Sequence, residues 1–306
     1  MEYLKGLEHY KDTGRSAVTF GKFDGLHLGH QTLTRQVVRF KEEEKLKGVV
    51  CAFDMKREDI LMTKKERAEH LAETMDYLVE CPFSEEFRKM SGEDFIREVI
   101  CGVFHAKYVV VGTDFHFGYG KAGDADMLKA YEGTYGYKAV VLEKERYQGR
   151  VISSSYIKEL MAAGKIALAD RLLGYPYGVE GVVEHGKQLG RTLGFPTFNV
   201  VWPREKIAPP RGVYYSRIWV DGTGYAGITN VGVKPTVTAE GKLLAESFLF
   251  DYEGSAYDKE VRIELLDFAR PEEKFAGVQE MKAQIDRDIA GGREYFARGE
   301  GSAYFL

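Results

Sequence analysis

With 306 residues, 44% of them hydrophobic and 29% charged, the chain has the composition of a globular protein. It exceeds the roughly 100–200 residues of one domain, so two domains are expected. A formal net charge of −4 gives no global attraction to nucleic acid or anionic membrane, so any polyanion must be caught locally. Cys51, Cys81 and Cys101 form no C-x-x-C pair, and no run of about 18 apolar residues occurs. A disulfide framework, a zinc site, a signal peptide and a membrane span are therefore unsupported, and a reducing cytoplasm fits best.

From residue 16 to about 164, short β-rich runs alternate with helical patterns, as in a parallel sheet covered by helices. "AVTFG" predicts a strand, and Leu33, Val37 and Phe40 fall on one face of the helix that follows. Between them stands "GKFDGLHLGH". A strand that ends in a glycine-rich turn and opens a helix creates an anion site, because first-turn N–H groups are unpaired and the helix dipole is positive there. Gly21, Gly25 and Gly29 would let backbone approach a phosphate, and His27 and His30 could donate hydrogen bonds to its oxygens. Local packing with turn-forming glycines is the plainer alternative. A metal pair is disfavoured, since two ligands on one helix face usually stand four apart, as in H-E-x-x-H. This stretch matches neither G-x-G-x-x-G nor the P-loop pattern.

Further on, "GVVCAF" predicts a strand and "KYVVVG" a buried one. "SGEDFIREVI" predicts a helix opened by a Ser91–Asp94 capping box, with Phe95, Ile96, Val99 and Ile100 as its core stripe. After "YKAVVLE", the segment "SSSYIKELMAAG" offers serine caps, an apolar side of Ile157, Leu160 and Met161, and Gly164 as a stop. Hydroxyls and Arg150 at that helix start suit a phosphate, or else amount to an ordinary serine cap.

Beyond "LLGYPYG" the rhythm becomes glycine-punctuated strands: "VEGVVEHG", "GVYYSRIWV", "GYAGITNVG", "AESFLFDYEG" and "EVRIELLDF". Such spacing predicts an antiparallel barrel or sandwich, with the domain boundary near Tyr175–Gly178. A last helix over about Phe275–Ile289 would place Val278, Met281, Ile285 and Ile289 against it, and the tail "GGREYFARGEGSAYFL" is expected to fray. "HGKQLGRTLGFPTFN" concentrates three glycines, Lys187, Arg191 and a Pro-Thr-x-Asn group in one stretch. Glycines permit a flap over phosphates, the cations neutralise charge, and Thr197 and Asn199 can offer hard oxygens to Mg²⁺. A structural loop remains the alternative.

"GKFDGLHLGH", "VVVGTDFHFGYGKAGD" and "RVISSSYIKELMAAGKIALADRLLGYPY" together resemble the adenylyltransferase half of the bifunctional riboflavin kinase/FMN adenylyltransferase family. "GRTLGFPTFN", "PPRGVYYSRI", "GITNVGVKPTV" and "AESFLFDYEGSAYDKEVRIELLDFAR" resemble its kinase half. The resemblance implies a Rossmann-like nucleotidyltransferase domain, residues 1–175, followed by a six-stranded antiparallel β-barrel with a C-terminal helix, residues 176–306. It implies riboflavin, FMN and ATP as the partners, FAD as the product and Mg²⁺ as the ion.

By position, His27 and His30 would handle the ATP phosphates, with Gly21, Phe23, Asp24, Gly25 and Gly29 framing them and Asp114 at the flavin and nucleotide site. Arg150, Ser153 and Ser154 would close over the triphosphate. In the kinase half, Gly186, Lys187, Gly190, Arg191, Gly194 and Pro196 would form the nucleotide flap. Thr197 and Asn199 would bind Mg²⁺ and phosphate, and Glu246 would be the general base for the ribityl 5′-hydroxyl, although by residue pattern alone Glu246 reads as a solvated strand residue.

The chain departs from the family pattern in three places. Met55-Lys56-Arg57 stands where Pro-His-Pro is usual, Ser155 and Lys158 replace Thr and Arg, and Ser247-Phe248 follows the base where a His is usual. Two rivals to the bifunctional reading therefore stand: a kinase with an impaired adenylyltransferase domain, and a flavin-binding regulator without turnover.

Overall fold

The computed structural model describes residues 1–54, 58–185, 195–234 and 241–299. Met55, Lys56 and Arg57, and the expected flap residues Gly186, Lys187, Gly190, Arg191 and Gly194, lie outside the described residues. Residue contacts divide the chain into two compact units, Met1–Ser154 and Ser155–Leu306.

The first unit runs β1 (Glu2–Lys5), β2 (Ser16–Gly21), α1 (Leu28–Glu44), β3 (Lys47–Asp54), α2 (Lys64–Leu71) and β4 (Tyr77–Pro82). There follow α3 (Glu85–Lys89), α4 (Gly92–Asp94), β5 (Ala106–Gly112), α5 (Ala125–Ala130), α6 (Glu132–Tyr135), β6 (Lys138–Leu142) and the small hairpin β7 (Arg146–Tyr147) and β8 (Arg150–Val151). Ser91 caps α4 as expected, accepting from the Asp94 N–H, and the coil continues as a π-helix over Phe95–Val103. Its apolar stripe of Phe95, Ile96, Val99 and Ile100 is buried.

All six main strands are parallel, in the order β1-β4-β3-β2-β5-β6. Helices cover such a sheet on both faces, which is why Val18, Val49, Val50, Val109 and Val110 are all fully buried in consecutive runs. Strands β1 and β4 were not foreseen; they are short and follow no long alternating pattern. The order reverses between β2 and β5, and in open α/β sheets that crevice, at the carboxyl ends of the strands, is where ligands bind.

The second unit starts within α7 (Ser154–Ala162) and continues through α8 (Ile166–Leu173) to β9 (Tyr177–Val182), β10 (Thr197–Val201), β11 (Gly212–Val220), β12 (Thr223–Lys234), β13 (Lys242–Leu249), β14 (Glu260–Pro271) and α9 (Val278–Ala297). Six antiparallel strands run in the order β10-β13-β12-β11-β14-β9. The chain beyond β9 meets β10 through the Glu184 N–H donating to the Asn199 carbonyl at 2.8 Å, which curls the sheet toward closure. Tyr214, Ile218, Ile263 and Leu265 fill one face completely buried.

The last helix differs from expectation at both ends. It starts at Val278, which is 59% exposed and does not pack, and it extends through Ala297 instead of fraying after Ile289. Its real seam continues into the polar tail. Ile289 and Phe296 join Val213, Ile228 and Phe250, and Tyr295 lies 4.9 Å from Tyr215. Gly292 is needed there because a Cβ would come within 2.8 Å of the Phe250 ring.

Candidate active sites

In the first unit, β2 delivers the chain to a turn in which Phe23 (φ 48°), Gly25 (φ 86°) and Leu26 (φ 35°) adopt left-handed backbone. Two of these are not glycine, so the turn carries strain that its surroundings must hold. They do so from four directions. Asp24 Oδ1 accepts the Leu61 N–H at 2.6 Å, and Ser154 Oγ donates to the Asp24 carbonyl at 2.8 Å. Gln31 Nε2 donates to the Leu26 carbonyl at 2.9 Å, and Arg67 Nη1 reaches the Lys22 carbonyl at 3.4 Å. Arg67 is itself buried and anchored to Glu80 at 2.5 Å. Sequence reasoning overlooked Arg67, which lies on a short, polar helix and whose partners are in the turn after β2 and on β4.

His27 is the N-cap residue of α1, yet its side chain makes no capping bond. Its ring stacks on that of His30, centroids 3.8 Å apart, with Phe23 packed 5.1 Å from His30 on another side. Nδ1 of both imidazoles is buried with no hydrogen-bond partner among the described residues. Gly29 makes room for this stack, since a Cβ there would stand 3.2 Å from His27 Nδ1 and 3.6 Å from the Ile152 carbonyl.

Burial lowers the His27 pKa to about 4 against the opposing pull of Asp24. Burial, with His27 and Arg67 alongside, holds His30 well below the usual imidazole value. Both rings are therefore neutral near pH 7, each with one N–H to donate. Orphaned ring nitrogens at a helix start, at the sheet's topological switch point, form a place for an anion rich in acceptor oxygens.

Asp114 lies just past β5 at the same carboxyl end of the sheet, exposed, with Lys144 Nζ 2.5 Å from its carboxylate. That pairing was not foreseen. Arg150 is exposed on β8, and Ser153 is half-buried one residue before α7. Ser154 opens α7, and its hydroxyl is spent on the Asp24 carbonyl, tying this segment to the histidine turn.

In the second unit, three expected residues come together across two strands. Thr197 and Asn199 share a face of β10 by alternation, and Asn199 stands directly opposite Glu246 of β13. Thr197 Oγ donates to Glu246 Oε1 at 2.8 Å, and Asn199 is 6% exposed. Donation leaves the Thr197 oxygen its lone pairs, so a hydroxyl and a carboxylate stand together on the face where strand register also places the Asn199 amide. That donor set fits Mg²⁺, which takes few protein ligands and completes its shell with phosphate and water. Pro196 is exposed just before β10, and Phe195 before it packs edge-on to Phe248.

Two family models match the chain: FAD synthetase over residues 9–156 and riboflavin kinase over residues 173–296. The bifunctional riboflavin kinase/FMN adenylyltransferase of Escherichia coli strain K12 is 32% identical over 311 residues, covering 97% of this chain and 98% of the relative. The protein of the same description from Bacillus subtilis strain 168 is 34% identical over 303 residues, covering 94% of each. A solved structure described as a macrolide-efflux protein from Streptococcus pneumoniae superposes with a TM-score of 0.83 at 28% identity, covering 94% of this chain and 96% of that one. Among the described residues, no helix is long and apolar enough to cross a membrane.

Proposed function

Since the chain belongs to the bifunctional riboflavin kinase/FMN adenylyltransferase family, we propose which of its residues carry each of the two steps by which it makes FAD. Residues 176–306 phosphorylate riboflavin with ATP, and residues 1–175 then adenylylate FMN and release pyrophosphate.

In the kinase half, Glu246 orients the ribityl 5′-hydroxyl and takes its proton as the γ-phosphoryl group is transferred. Thr197 and Asn199 hold Mg²⁺ and phosphate, and the ion supplies charge neutralisation when bound. The flap of Gly186, Lys187, Gly190, Arg191, Gly194 and Pro196 covers the nucleotide. The hydrogen bond from Thr197 supports this role by fixing one carboxylate oxygen, which aims the other.

In the adenylyltransferase half, an FMN phosphate oxygen attacks the α-phosphorus of ATP and pyrophosphate leaves. No protein nucleophile is needed, so orientation and charge stabilisation carry the step. His27 and His30 donate to ATP phosphate oxygens, while Gly21, Gly25 and Gly29 let backbone come close and Phe23 and Asp24 frame the turn. Arg150, Ser153 and Ser154 take the triphosphate from the α7 side, and Asp114 sits at the flavin. The observation that carries this assignment is the stacked histidine pair, buried with both Nδ1 atoms orphaned where α1 begins. The three free cysteines suit a cytoplasmic setting.

The test is a time course of purified protein with riboflavin, ATP and Mg²⁺, with flavins separated chromatographically. FMN should rise first and FAD follow, and His30→Ala should cut FAD formation by about 10²–10³ while FMN formation continues. FAD formation undiminished in His30→Ala would remove the phosphate role of the pair. Wild type that stops at FMN would mean the Met55-Lys56-Arg57 substitution has silenced the first half.

A further inference from the structure

The face that carries Thr197, Asn199 and Glu246 holds another polar side chain. Asn230 of β12 stands directly opposite Glu246 on the side away from Asn199, so Asn199, Glu246 and Asn230 form a row across three strands. Directly opposed residues keep their Cβ atoms about 4.5–5.5 Å apart. The packing settles which face Asn230 occupies. Ile228, two residues earlier, pairs with Phe248 and packs with it in the cluster beneath α9. Thr229 instead bonds Ser247 at 2.8 Å on the reverse face, where both are fully buried.

Asn230 is half-buried, and its amide has no hydrogen-bond partner among the described residues. Its neighbours do not need it. Thr197 already bonds Glu246, and the Thr229–Ser247 pair already ties β12 to β13 from the other face. Gly232, next on the same face, has no side chain to intrude; a Cβ there would strike Glu272 Oε1 and lie 3.2 Å from Asn230 Nδ2. A half-buried amide left unbonded beside a general base is a donor and an acceptor held ready for something else.

We propose that Asn230 contacts the substrate of the kinase step, its side-chain amide hydrogen-bonding the ribityl hydroxyl adjacent to the one that is phosphorylated. This rests on Glu246 being the base. With the terminal hydroxyl at Glu246, the next position along the polar row meets the neighbouring carbon of the chain. A vicinal diol both donates and accepts, and an amide answers both while a carboxylate answers only one.

The experiment compares riboflavin with lumichrome, a flavin ring system without the ribityl chain, on full-length Asn230→Ala and on the isosteric Asn230→Asp, which keeps the shape and loses the donor. Both variants should lose about tenfold in kcat/KM for riboflavin, as expected for one hydrogen bond to substrate. Lumichrome affinity, the KM for ATP and FAD formation from added FMN should stay at wild-type values. Unchanged kcat/KM for riboflavin, or a parallel loss of lumichrome affinity, would overturn the proposal. Riboflavin binding read by flavin fluorescence without ATP reports on Asn230 independently of turnover. Glu246→Gln measured alongside reports on the base alone, so a failure of one assignment is not mistaken for a failure of the other.

Discussion

His27 stands where Ser, Thr, Asp or Asn would ordinarily cap a helix, and forgoing that cap costs about 1 kcal/mol. The buried imidazole adds an acid-sensitive penalty. Its pKa falls from 6.5 in the unfolded chain to about 4 in the fold. Above pH 6.5 both states are neutral and nothing is lost. As pH drops toward 4 only the unfolded state gains the proton, so stability declines through that window. Between about pH 7.5 and about pH 4.5, wild type should therefore lose on the order of 2 kcal/mol more than His27→Gln in urea unfolding of the first unit. Parallel pH curves would show that the ring is not held neutral by burial. Gly21, Gly25, Gly29 and the two histidines were legible from spacing. Arg67 and Asn230 were not, because each matters through a neighbour more than a dozen residues away in the chain.

At the scale of elements, α9 shows how a stripe can mislead. Val278, Met281, Ile285 and Ile289 suggested the right periodicity, but the helix is secured further along by polar and aromatic residues. Arg270 of β14 grips Asp288 with Nε at 2.8 Å and Nη2 at 2.6 Å, and Gln284 donates to the same carboxylate. Asp288 is 8% exposed, so removing it strands a largely buried guanidinium. Asp288→Ala should destabilise the second unit by on the order of 3 kcal/mol in denaturant unfolding. A change within experimental error would mean that the apolar seam of Ile289, Tyr295 and Phe296 holds α9 alone. The parallel strands β2, β3 and β5 were legible as β-rich runs, whereas β1 and β4 emerge only because neighbouring strands accept them as partners.

For the whole molecule, each unit carries its own site, and FMN is the product of one and the substrate of the other. Two variants with complementary lesions should therefore restore each other in solution. Glu246→Gln alone should give no FAD from riboflavin but make it from added FMN, and His30→Ala alone should stop at FMN. Mixed, they should convert riboflavin to FAD, with a lag that shortens as protein concentration rises. A mixture that accumulates FMN without FAD would show that released FMN does not reach the first unit's site.

The two-part organisation, the parallel-then-antiparallel rhythm and the family were determined by the sequence itself, because periodicity, glycine punctuation and ordered motifs are local properties of the chain. So was the placing of His27 and His30 at a helix start. The tertiary structure decided which groups are neutral, which are already bonded and which are left over. It stacks His27 on His30 with both Nδ1 atoms orphaned, ties Thr197 to Glu246 and sets Asn230 across from it. Burial, strand register and hydrogen-bond satisfaction depend on residues distant in sequence, and only the folded chain brings them together.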